Sequence, residues 1–204
     1  MSSTPSLVLF DLDGVLVDYD RAARVTHLAR AIGVEDGAVW AALFGSGLED
    51  RFDAGSIEAD DYLDALGGAL GTSVNRAVWA DARRVAMRMD PALPALLARV
   101  HARCDIAVLT NNGGLLVDLL REIAPALAAA FGDRVLCSAR LGARKLVECV
   151  YLDAVESLGH APASTLFVDD SIANVEGARR AGLQAAHVAA PNVLAGVLAA
   201  YGLG

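Results

Sequence analysis

Five short apolar runs, each ending in polar or acidic residues, constrain the fold of this chain more than any other feature. They span residues 7–10, 106–109, 135–137, 166–168 and 185–188. Runs this short and this apolar read as strands buried on both faces, the pattern of a parallel sheet. Between the later runs lie stretches of helical period at 93–103, 115–123, 147–158 and 175–181. Strands alternating with helices predict an α/β fold built on a doubly wound, Rossmann-like parallel sheet.

The segment from about 16 to 88 breaks this alternation, keeping a helical period with no credible strand. It predicts a small all-helical cap inserted into the sheet domain. Helices are expected near 19–32, 36–43, 57–70 and 74–89, separated by glycine-bearing turns at 45–47, 53–55 and 71–72. The chain thus divides into a core of residues 1–15 and 90–204 and a cap of residues 16–89, with hinges near 16–18 and 87–90. With 55% hydrophobic but only 5% aromatic residues, the interior must be built from Ala, Leu and Val, which suits helices layered on a sheet.

The formal charge of -8 argues against nucleic acid as a partner, because binding a phosphate backbone needs a basic surface. Cys104, Cys137 and Cys149 are odd in number and lack close metal-type spacing, so reduced thiols are expected and structural zinc is not. Residues 1–6 carry no basic side chain and the apolar run after them stops at Asp11, too soon for a secretion signal. The apolar stretch after Gly182 is interrupted by Gln184, His187, Pro191 and Asn192, so no membrane span is expected. A cytoplasmic location is the expectation.

In an open α/β sheet, ligands collect where strands end, and four of the five strand exits carry groups suited to chemistry. The first is Asp11-Leu12-Asp13-Gly14. Acids at i and i+2 on extended backbone point to one side and can share a cation; Asp-x-Asp-Gly also occurs as ordinary turn chemistry. On the functional reading, Asp11 attacks phosphorus and becomes a phosphoaspartate, while Asp13 protonates the leaving oxygen and later activates water. The second exit offers Thr110, Asn111 and Asn112. They suit either a phosphate cradle at a helix start or a simple N-cap.

The third exit carries Lys145, before a helix expected to begin near Leu146. It is the only lysine; every other one of the seventeen Lys and Arg residues is arginine. A compact point charge at one spot is a specific requirement that arginine does not meet, although surface placement by chance fits too. The fourth exit is Asp169-Asp170-Ser171, followed by Asn174. Adjacent acids at a buried strand tip repel unless a cation sits among them, and magnesium, which prefers hard oxygen ligands and often binds with substrate phosphate, is the fitting ion. A helix cap is the plainer alternative.

In this order the four stations resemble the haloacid dehalogenase superfamily along the whole chain. Its first motif, Asp-x-Asp-x-Thr/Val, is similar to residues 11–15, its second to Thr110, its third to Lys145 and its acidic fourth to Asp169, Asp170 and Asn174. The resemblance implies that Asp11, the backbone carbonyl of Asp13, and Asp170 hold Mg2+, with Asp169 close by or also ligating. It implies further that Lys145 bridges nucleophile and phosphate, and that Thr110, Asn111 and Lys145 bind the phosphate. One large subgroup carries its helical cap after the first motif. Within that segment, residues 43–47 and 52–57 resemble small-capped phosphatases related to glucose-1-phosphate phosphatase and to the amino-terminal domain of epoxide hydrolase. Relatives usually continue Lys-Pro-x-Pro; here Leu146-Val147-Glu148 follows Lys145, and Glu148, one turn on, is placed to compete for its ammonium.

The activity these features imply is Mg-dependent hydrolysis of a small phosphate monoester, such as a sugar phosphate. Dehalogenases generally lack an acid at the position of Asp13. Phosphosugar mutases of this fold usually carry a cap histidine where Ala23 stands, with His27 one turn further. A phosphate-binding protein without activity is the rival from another class. Arg21, Arg24, Arg51 and the 45–47 loop are the cap residues expected near substrate, though each arginine serves equally well as a solvated helix face.

Overall fold

The computed structural model describes residues 4–145 and 147–204. Residues 1–3 and Leu146, where a helix start was expected, lie outside the described residues. Strands β1 (Leu7–Phe10), β4 (Asp105–Thr110), β5 (Val135–Cys137), β6 (Thr165–Asp169) and β7 (Gln184–His187) form one parallel sheet, the short β2 (Asp18–Tyr19) and β3 (Met87–Arg88) standing apart. The order is β5-β4-β1-β6-β7. The chain builds outward from β1 on one side and then on the other, so the strand order reverses beside β1, where a crevice opens at the carboxyl ends.

All four residues of β1 are buried, and the period of two divides them between the faces. Val8 and Phe10 join one apolar cluster with Ile106, Val108, Leu166 and Val168, whereas Leu7 and Leu9 join another with Ala107, Leu109 and Phe167. Helices cover both faces: α6 (Leu93–His101), α7 (Gly114–Asp118), α8 (Leu120–Ile123), α9 (Pro125–Phe131), α10 (Ser138–Leu141), α11 (Glu148–Ser157), α12 (Ile172–Arg180) and α13 (Leu194–Ala200). The helix expected over 115–123 is divided in two at Leu119, whose backbone leaves the helical region.

Between β2 and β3 lie α1 (Arg21–Ile32), α2 (Asp36–Trp40), a π-helical turn over Ala41–Gly45, α3 (Leu48–Asp53), α4 (Ala59–Leu70) and α5 (Arg76–Ala86). The side chains of Asp20 and Asn75 cap α1 and α5, each accepting from the N–H three residues on. The segment was expected to be free of strand. Its interior is, but β2 and β3 pair antiparallel at its two ends, Asp18 with Arg88 and Tyr19 with Met87. Two residues per strand are too few to register as a periodic pattern. Among the described residues no helix is long and apolar enough to cross a membrane.

Candidate active site

The strand tips of β1, β4 and β6 bring Asp11, Asp13, Thr110, Asn111, Asp170 and Asn174 to one chamber of about 650 Å3, which Lys145 also lines. Lys145 is 1% exposed and lies between two carboxylates, with Nζ 2.6 Å from Asp11 Oδ1 and 2.8 Å from Asp169 Oδ2. Burial disfavours its charge, but Asp11 and Asp169 together raise its pKa above the ordinary value. Glu148, expected to compete for this ammonium, instead faces Arg180 at 3.5 Å on the exposed side of α11. Glu148 is the first residue of α11, and its side chain is exposed whereas that of Lys145 is buried.

One carboxylate oxygen from each of Asp11, Asp169 and Asp170 lies within 4.8 Å of the other two, a grouping compatible with a metal ion. Gly14 makes room for it: a Cβ there would overlap the Asp170 carboxylate, and its φ of 87° is left-handed. Asp169 is already engaged. Oδ1 accepts from Ser171 N–H at 2.7 Å, and the Asn174 amide donates to both oxygens at 3.0 and 3.1 Å, besides the bond from Lys145. Burial pushes the Asp11 carboxyl upward against the pull of Lys145. A cation beside it would offset that penalty.

Beside these acids, Asn111 Oδ1 accepts from the Lys145 backbone N–H at 2.8 Å, which turns the amide nitrogen away from that bond. Thr110 Oγ1 accepts from Asn112 Nδ2 at 2.7 Å, leaving its own proton to donate. The set therefore offers donors for a bound oxyanion next to Asp11.

The helical segment closes the chamber through Tyr19, Arg21, Arg24, Leu43, Phe44, Glu49, Asp53 and Arg83. It seats on the core by close backbone approaches. Ser138 donates to Asp53 O at 2.6 Å, Arg144 pairs with Asp50 at 2.8 Å, the Phe52 ring occupies the space a Cβ on Gly113 would need, and Gly55 meets Ala139 O in the same way. Of the arginines expected near substrate, Arg21 and Arg24 line the chamber. Arg24 is buried in a two-bond pair with Glu49 at 3.0 and 2.9 Å, and Tyr62 donates to the same carboxylate. Arg21 lies over the Phe44 ring. Arg51 and residues 45–47 are not among the lining residues, and neither is His27.

The sequence reading missed Arg83, whose Nη2 reaches Asp13 Oδ2 at 2.5 Å and Asn112 Oδ1 at 3.1 Å. Its signal was an arginine on the apolar stripe of a helix, in step with the buried Trp79, Ala82 and Ala86. Asp53 was missed as well. Burial, added to by the nearby Glu49, pushes its carboxyl from 3.8 up to about 7. Because the folded protein binds this proton more tightly, Asp53 leaves stability untouched below pH 3.8 and lowers it progressively as pH rises towards 7. Thermal melts of Asp53→Asn are therefore expected to match wild type near pH 4 and to show a higher melting temperature near pH 8.

A model of the haloacid dehalogenase-like hydrolases matches residues 5–182. The chain belongs to that family. It is 32% identical over 187 residues to the phosphatase MT3486 of Mycobacterium tuberculosis, covering 88% of this chain and 85% of that one. It is 25% identical over 191 residues to the sesquiterpene phosphatase astK of Aspergillus oryzae, with 92% of each covered. In fold, this hydrolase resembles a haloacid dehalogenase family enzyme of Bacteroides thetaiotaomicron crystallised with magnesium and inorganic phosphate. That likeness has a TM-score of 0.76 at 18% identity and covers 90% of this chain and 93% of that one.

Proposed function

We propose that this hydrolase is a Mg2+-dependent phosphatase of a small phosphate monoester, such as a sugar phosphate, acting in the cytoplasm through a phosphoaspartate on Asp11. The observation that carries the reading is the convergence of the Asp11, Asp169 and Asp170 carboxylates within 4.8 Å around a buried lysine. Such a cluster of acids is tolerable where a cation neutralises it. Two curated relatives bear the name phosphatase.

The residues present fit magnesium, which prefers carboxylate oxygens and keeps positions for substrate phosphate. Asp11, the carbonyl of Asp13, and Asp170 would hold it. Asp169, with both oxygens committed, serves as the anchor that aims Lys145 at Asp11. When bound, the ion offsets negative charge on the phosphoryl group. Asp11 attacks phosphorus while Lys145, Thr110 and Asn111 hold the phosphate oxygens. Asp13 donates a proton to the leaving oxygen and later takes one from the attacking water. Asn174 keeps Asp169 in place.

We assign residues 16–89 the role of a cap that closes over the leaving group and excludes water, and residues 1–15 and 90–204 that of the catalytic core. Hydrolysis is favoured over phosphoryl transfer to a second sugar hydroxyl because His27 is not at the chamber wall. Purified protein is expected to release p-nitrophenolate from p-nitrophenyl phosphate with magnesium and to stop in excess chelator. Unchanged rates in chelator would remove the metal from the mechanism, and no release at all would leave a phosphate-binding protein.

A further inference from the structure

The Asp13 carboxylate is held unevenly. Oδ2 accepts from Arg83 at 2.5 Å and from Asn112 Nδ2 at 3.3 Å, whereas Oδ1 is buried and makes no hydrogen bond. Arg83 also donates to Asn112 Oδ1 at 3.1 Å, so the three side chains close a ring. The arginine side chain is 3% exposed and its guanidinium lies 4.1 Å from the centroid of the Tyr19 ring. It is thus a buried cation, braced from below, reaching out of α5 to a residue of the strand-tip loop after β1.

We propose that Arg83 is a positioning residue that holds Asp13 by Oδ2 and so fixes in place the carboxyl group that exchanges protons during turnover. The assignment rests on the phosphatase reading above. In the first step, an Asp11 oxygen bonds to phosphorus, the electrons of the scissile P–O bond pass to the leaving oxygen, and that oxygen takes a proton from the Asp13 carboxyl group. In the second, a water oxygen bonds to phosphorus and the water returns a proton to Asp13, while the electrons of the Asp11–phosphorus bond go back to Asp11. Throughout, Arg83 Nη2 and Asn112 Nδ2 meet Oδ2 only as donors. Arg83 lies one turn before β3, where the segment rejoins the core.

The test compares two esters. The p-nitrophenolate of p-nitrophenyl phosphate departs without a proton; the alkoxide of glycerol 2-phosphate needs one. Values of kcat/KM with magnesium are measured for wild type, Arg83→Gln, Arg83→Lys and, as the reference, Asp13→Asn. General acid catalysis contributes about 10²–10⁴-fold, so Arg83→Gln is expected to lose at least about tenfold more on the glycerol ester than on the nitrophenyl ester. Arg83→Lys keeps the buried charge, and with it the fold, but has no planar fork to hold both Asp13 and Asn112; its selectivity should fall between the two. Equal losses on both esters, as a general defect in packing would give, overturn the inference, and so does wild-type selectivity. If Asp13→Asn discriminates between the esters and the Arg83 variants do not, only the role of Arg83 falls. If Asp13→Asn itself shows no discrimination, the acid–base assignment falls and takes that of Arg83 with it.

Discussion

Replacing Asp11 by asparagine is expected to lower turnover by roughly 10⁴-fold or more, the scale on which loss of a covalent nucleophile acts in other enzymes. The amide keeps the size of the carboxylate and removes both its nucleophilicity and its charge toward a cation. Asp13→Asn should behave differently. With p-nitrophenyl phosphate it still forms the phosphoenzyme, because the nitrophenolate leaves unaided, but it lacks the base that activates water. Rapid mixing would then show a burst of p-nitrophenolate followed by a slow steady state, and no burst at all in Asp11→Asn. Full steady-state turnover of a sugar phosphate by Asp13→Asn would remove the acid–base role.

The second large effect is on stability. Lys145→Met leaves Asp11 and Asp169, 2.6 and 2.8 Å from the lost ammonium, facing each other in the interior with no cation between them. Breaking a buried ion pair from one side costs about 3–5 kcal/mol, read as a fall in the urea midpoint with little change in slope. The double variant Lys145→Met, Asp11→Asn should recover part of this loss, because one of the two uncompensated charges is gone. A single-variant loss below about 1 kcal/mol would show that the lysine is not the counter-ion of this cluster.

Much of the core could be read directly from the chain. The five sheet strands stand out because burial on both faces demands uninterrupted apolar residues, and the site acids stand out because they end those runs. Asp11, Thr110 and the Asp169-Asp170 pair are visible because they follow such runs directly, and Lys145 because it is the one lysine of the chain. The face contributed by the helical segment was less legible. Arg83 shows only as an arginine in step with the apolar residues of its helix, and Asp53 ends a short helix whose pattern does not set it apart from exposed acids. The β2–β3 ribbon was invisible too, because its pairing joins residues separated by the whole insert. The ring linking Asp13, Arg83 and Asn112 spans three distant segments, and no local pattern carries such a contact.

The two-stranded ribbon also bears on how the molecule is assembled. Because Asp18 and Arg88 are paired neighbours in the ribbon, the entire excursion between them is, to the five-stranded sheet, a single long turn tied off outside it. The entropy of closing so large a loop grows only slowly with its length. Longer or shorter excursions tied off at the same ribbon would therefore burden the sheet almost equally, which leaves the lobe free to diverge in size and shape while the chemistry beneath it stays fixed.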